Sequence, residues 1–158
     1  MQRTLVIMVK EPRPGRVKTR LGRDIGMVGA AWWFRHQTRR LIRRLRDPRW
    51  RIVLAVSPDR EGMQSRVWSA DLARAPQGRG DLGVRMARLM RGLPPGPVLI
   101  VGADIPGMTR RHIGTLSSIT ASKVHGSGIG IVSFANILPV SISASTQCSV
   151  PPNSCHPS

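Results

Sequence analysis

Pro97-Val-Leu-Ile-Val-Gly-Ala-Asp-Ile-Pro-Gly107 sets four aliphatic residues before a glycine, and follows them with an acid and a proline-glycine turn. A short unbroken apolar run bounded by turn formers reads as a strand covered on both faces. The turn is then the loop at its carboxyl end, and Thr109 caps the helix after it. Thr4-Leu-Val-Ile-Met-Val9 repeats the pattern and stops at Lys10-Glu-Pro-Arg-Pro-Gly15. Arg51-Ile-Val-Leu-Ala-Val56 is a third such run, with Ser57-Pro58-Asp59 as the turn and cap of a short helix from Glu61 to Trp68.

Between these strands the period changes. From Met27 to Arg46, Ala30, Ala31, Phe34, Leu41, Ile42 and Leu45 keep helical spacing while arginines cover the other side, and Asp47-Pro48 ends the helix. Asp81 to Arg91 predicts another helix. Strands alternating with helices argue for an α/β fold, a mostly parallel sheet sandwiched as the middle of three layers, with ligands bound beyond the carboxyl ends of the strands. The loops 10–20 and 102–107 both sit at such ends, and no internal repeat is visible.

The 158 residues suit one domain. Lys and Arg number 25 against 8 Asp and Glu, a formal charge of +17 that favours partners bearing phosphate or carboxylate. Arg outnumbers Lys heavily, a bias that genome composition can produce unaided, so it carries little weight. Two cysteines, Cys148 and Cys155, are too few for a disulfide framework or a four-ligand zinc site, which fits a reducing, cytoplasmic setting. The apolar run Leu5 to Val9 is shorter than the ~7–15 residues of a secretory core.

Every charged residue lies in 1–123, and most serines lie after Ile113. The chain therefore divides into a 1–123 α/β domain and an uncharged Ser-rich tail, 124–158, that is not expected to belong to the same fold. A natural tail, a shifted frame or truncated gene, and a membrane segment are three readings of it. The last is disfavoured by the serines, Asn136 and Pro139 within Gly126 to Ser145.

Chemistry concentrates in three places. Lys10-Glu-Pro-Arg-Pro-Gly-Arg-Val-Lys-Thr-Arg20 carries five cations between a strand and a helix, and suits a polyphosphate. Gly15 lets the backbone approach an anion, and Lys18 and Arg20 offer point charge and bidentate donors. It is not a Walker A loop, because Val17 rather than Gly precedes Lys18. A solvated basic surface is the plain alternative. Asp104, directly after a strand, can reach Mg²⁺ or Mn²⁺ bridging phosphates, since one or two carboxylates suffice when substrate oxygens fill the shell; alternatively it caps a turn. Gln77-Gly-Arg-Gly-Asp-Leu-Gly-Val-Arg-Met86 leads into a helix and could receive an anion or a base edge, or Asp81 could simply be its cap. Trp32, Trp33 and the arginine row weakly recommend a nucleic-acid or membrane face, for which aromatic residues are scarce. The four histidines show no metal-ligand spacing.

Taken together, Lys10 to Leu21, Ala30-Ala31, Gly80-Asp-Leu-Gly-Val-Arg-Met86 and Val101-Gly-Ala-Asp-Ile-Pro-Gly107 resemble a bacterial family of small GT-A-like glycosyltransferases, often labelled arsenosugar biosynthesis glycosyltransferases. The resemblance covers roughly residues 3–120. It implies the nucleotide-diphospho-sugar transferase sandwich and metal-assisted transfer of a sugar from a nucleotide donor to a small-molecule acceptor, with neither nucleic acid nor membrane as partner. Lys10, Arg13, Gly15, Lys18, Thr19 and Arg20 would hold the phosphates, Gly80, Asp81 and Arg85 would lie near base or ribose, and Asp104 would ligate the metal. Such proteins continue into an Asp-Gly-Gly-Tyr-Trp-like acceptor-side motif. This sequence has no Tyr and no acid after Asp104, so the fold reads as incomplete at its C-terminus and no catalytic base is assigned. Phospholactate guanylyltransferases and molybdenum-cofactor nucleotidyltransferases share a similar loop and strand end and form the alternative. A basic nucleic-acid-binding module is the second alternative.

Overall fold

The computed structural model describes residues 2–105 and 107–115. The stretch 124–158, read above as a separate tail, lies outside the described residues.

Among the described residues the elements up to Gly102 follow in the order β1 (Arg3–Lys10), α1 (Thr19–Ile25), α2 (Met27–Leu45), β2 (Trp50–Ser57), α3 (Asp59–Gln64), β3 (Ala73–Pro76), α4 (Leu82–Gly92) and β4 (Val98–Gly102). The strands form one parallel sheet in the order β3-β2-β1-β4. At its centre Val6 lies beside Val53 on one side and Ile100 on the other.

Strand alternation sorts the apolar side chains into two cores. Leu5, Ile7 and Val9 face α2, where Leu41, Ile42 and Leu45 meet them together with Leu54 and Val101. Val6, Val53 and Ile100 face the opposite way, onto Met86, Leu89 and Met90 of α4. The sheet is thus the middle layer of three, as the alternating pattern predicts. A bond from the Trp50 indole to the Leu45 carbonyl (2.9 Å) ties the end of α2 to the start of β2, and the Asp47 carboxylate, held by Arg49, stabilises the turn between them.

Two elements were not legible in the sequence. β3 is only Ala-Arg-Ala-Pro and has no apolar run, and α1 sits inside the basic stretch. A third element moves: the helix expected over Glu61 to Trp68 runs from Asp59 to Gln64, behind Pro58. Its end is set by Ser65, which turns extended and donates its hydroxyl to Glu11 (2.8 Å), so Trp68 enters the core from a loop. After β4, residues 110–115 are helical, and Thr109 precedes them with its amide on Nδ1 of His112 (3.1 Å).

Candidate active site at the strand ends

Chain order fixes where a ligand can enter. The strands step outward from β1 to β2 to β3, and α4 then carries the chain back to place β4 on the other side of β1. The order reverses between β1 and β4, and such a switch point opens a crevice at the carboxyl ends of the two strands. A cavity of about 670 Å³ lies there.

Its walls collect residues distant in sequence. Lys10 ends β1, Lys18 and Thr19 open α1, Arg85 comes from the first turns of α4, and Asp104 follows β4. Val101, Ile100 and Met86 supply apolar floor. Lys18 is the N-cap of α1 and holds a left-handed backbone (φ 49°, ψ 44°), which is uncommon for a residue with a side chain and recurs at functional sites. Its ammonium lies 3.1 Å from Oδ1 of Asp104. The Asp104 carboxylate is two-thirds exposed, at 66%.

Of the residues singled out from sequence, Lys10, Lys18, Thr19, Arg85 and Asp104 line the cavity. The others do not. Arg13 pairs with Glu61 (3.5 Å), and Gly15 makes the left-handed turn the loop needs (φ 76°) without facing the cavity. Arg20 is exposed on α1. Asp81 is the cap of α4, accepting from the Val84 amide (2.8 Å), and Gly80 offers its carbonyl to Nε of Arg85 (2.8 Å).

Arg16 also lines the cavity, although only its charge distinguished it in the sequence. Gln77 was missed as an individual residue. It is buried at the end of β3, and its amide nitrogen donates to the carbonyls of Val9 (3.1 Å) and Ala55 (2.7 Å) while its backbone amide donates to Val56 (3.1 Å). Its side-chain oxygen accepts from Nη1 of Arg85 (3.5 Å). One neutral side chain therefore fastens the ends of β1 and β2 and orients a cation. A lone polar residue at a strand end was the only signal for it. Among the described residues Arg85 bonds only neutral oxygens, so no carboxylate offsets its charge.

No group of three or more His, Cys, Asp or Glu able to hold a metal occurs among the described residues. Asp104 is the single carboxylate lining the cavity. One exposed carboxylate fits a hard divalent ion when a ligand's phosphates complete the shell, with the Lys18 ammonium moving off Oδ1.

The sheet order and the crevice at its switch point define an α/β fold of the nucleotide-diphospho-sugar transferase kind. A solved structure from Desulfovibrio desulfuricans G20, of a protein provisionally assigned as a nucleotide-diphospho-sugar transferase, matches it with a TM-score of 0.64 and 26% identity over 75% of this chain. The match takes in 54% of that protein, so the chain spans about half its length. Residues 41–122 match the pattern of a bacterial family described as uncharacterized proteins conserved in bacteria (DUF2064), and the chain belongs to that family. No curated protein matches it. No helix among the described residues is long and apolar enough to cross a membrane.

Proposed function

We propose that the chain binds the donor of a nucleotide-sugar-dependent glycosyltransferase, and that the cavity between β1 and β4 receives the nucleotide's diphosphate. The observation that carries the proposal is the gathering of Lys10, Arg16, Lys18 and Arg85 around one cavity that contains a single carboxylate. The likeness to the Desulfovibrio protein supports the same donor class. The finer kind, a transferase like those labelled arsenosugar biosynthesis glycosyltransferases, rests on the motif resemblance alone.

In the transfer, the bond between the sugar's anomeric carbon and the donor phosphate breaks and its electron pair leaves with the nucleoside diphosphate. The acceptor hydroxyl forms the new bond to that carbon and its proton passes to solvent water. The cations lining the cavity face the charge that develops on the leaving group, which is where fixed positive charge lowers a barrier most. Arg85 offers directional donors, and Lys10 and Lys18 offer point charge. Mg²⁺ or Mn²⁺ would be held by Asp104 and would supply further charge neutralisation to the diphosphate.

Thermal unfolding with UDP-, GDP- and CDP-sugars and with nucleoside triphosphates, each with and without Mg²⁺ or Mn²⁺, tests the reading, because a ligand that binds only the native state raises the midpoint. A shift with one nucleotide sugar is expected. A shift with triphosphate alone would replace the proposal with the nucleotidyltransferase alternative, and indifference to every nucleotide would overturn both.

A further inference from the structure

A transferase needs a second site that shares its reacting point with the first. A smaller cavity, about 290 Å³, lies across the Lys18–Asp104 pair and shares Lys18, Phe34, Ala103, Asp104 and Ile105 with the larger one. Its own walls include Trp33, Gln37 and Arg44 of α2. Trp33 and Gln37 also line a groove of about 720 Å³ between α2 and the segment that carries Trp68, Ser69 and Leu72. Neighbouring hollows therefore share walls, Lys18 and Asp104 between the first two and Trp33 and Gln37 between the second and the groove.

The groove has a distinct chemistry. Trp32 and Trp33 are 63% and 39% exposed, and the Trp32 ring lies against His36 with centroids 4.1 Å apart. Arg39, Arg40 and Arg43 line the groove, and among the described residues none of them has an ion-pair partner. Arg46 is held by Asp71, and no carboxylate lines the groove. On the wall toward the core, the buried Trp68 indole N–H has no acceptor among the described residues. Three uncompensated guanidinium groups match a phosphate in charge and in donor geometry, and exposed indoles give a ring or apolar segment a face to lie on.

We propose that the small cavity and the α2 groove together form the acceptor site, and that the acceptor is a soluble phosphorylated molecule. Its hydroxyl would enter beside Asp104, its middle would cross Trp33, and its phosphate would rest on Arg39, Arg40 and Arg43. At a rise of 1.5 Å per residue these arginines lie roughly 10–15 Å along α2 from Trp33. The inference rests on the donor reading, because it is the donor that makes the Lys18–Asp104 pair the reacting point.

The test loads the full chain with UDP or GDP and Mg²⁺, whichever pair binds, and then titrates it with 4-nitrophenyl phosphate, whose nitrophenyl ring quenches tryptophan fluorescence. The neutral probe is 4-nitrophenyl glucoside. The expected result is saturable quenching by the phosphate on top of bound nucleotide, at least tenfold weaker for the glucoside. Arg39→Ala/Arg40→Ala/Arg43→Ala should weaken the phosphate probe at least tenfold and leave the nucleotide's affinity unchanged. Because these arginines are exposed and alanine favours helix, the triple variant should fold. Trp33→Leu supplies an independent variant and should reduce the quenching. Equal binding to the triple variant, displacement of nucleotide by the probe, or tighter capture by anionic vesicles or an oligo-dT strand would each overturn the assignment. Failure of every nucleotide to bind would instead remove the donor reading, and the acceptor site with it.

Discussion

The ammonium of Lys18 and the carboxylate of Asp104 meet at 3.1 Å and so join the loop after β1 to the loop after β4. The strands they follow are neighbours in the sheet, although about 90 residues separate them in the chain. The pair stands at the common wall of two cavities, which makes both residues informative to change.

Asp104→Asn removes the charge and keeps the shape. An exposed ion pair contributes about 0–1 kcal/mol, so the unfolding midpoint without ligand should hardly move. The metal-dependent part of the nucleotide-induced shift should disappear, and scans with and without Mg²⁺ measure both quantities.

Lys18→Gly separates backbone from charge. Glycine accepts the left-handed conformation freely, so stability should stay within about 1 kcal/mol of the parent. Loss of the ammonium should weaken nucleotide binding at least tenfold by calorimetric titration. Undiminished affinity would take Lys18 out of the site.

Gln77→Leu leaves the Val9 and Ala55 carbonyls without the amide that now bonds them. The expected loss is about 1–3 kcal/mol, read from urea unfolding. Nucleotide affinity should fall as well, because Arg85 loses one of its two partners and keeps only the Gly80 carbonyl.

Gly62→Ala probes the packing of α3 on the sheet. An exposed glycine in a helix usually gains stability from this change, but here the new methyl would lie 2.5 Å from Cβ of Val56. Strain should dominate and destabilise the protein by about 1–3 kcal/mol. A rise in the urea midpoint would contradict the contact.

Acid should weaken the turn before β2. Hydrogen bonds from Arg49 hold the Asp47 carboxyl at about 2, below its ordinary value, and Arg46 and Ser69 hold Asp71 well below the carboxylate range. A carboxylate with a depressed folded pKa stabilises above its unfolded value near 4 and loses that contribution as pH falls through the folded value. Urea midpoints of the parent and of Asp47→Asn should therefore converge between pH 5 and pH 2.

The core strands were legible because burial on both faces leaves a mark in composition: Leu5 to Val9, Ile52 to Val56 and Val98 to Val101 are apolar almost without a break. β3 left none, since a strand of four residues, outermost in the described sheet, is specified by its neighbour through pairings such as Leu54 with Arg74. Charge and position after a strand singled out Lys10, Lys18 and Asp104, which line the cavity. They could not separate Arg16, which faces the cavity, from Arg13, which the side chain of Glu61 draws away. Gln77 was invisible for a different reason: its importance lies in three carbonyls and one guanidinium that only the folded chain brings together.

Because β1 is flanked by β2 and β4, the first of the described strands is completed only when the fourth has been made. At the ~5–20 residues per second of synthesis, Arg3–Lys10 would wait roughly 4–20 s for Val98–Gly102, with one hydrogen-bonding edge open throughout. The same wait applies to the crevice, whose two walls are those strands. The crevice thus comes into being only when β4 pairs with β1, and until then a nascent chain holds one of its walls without the other.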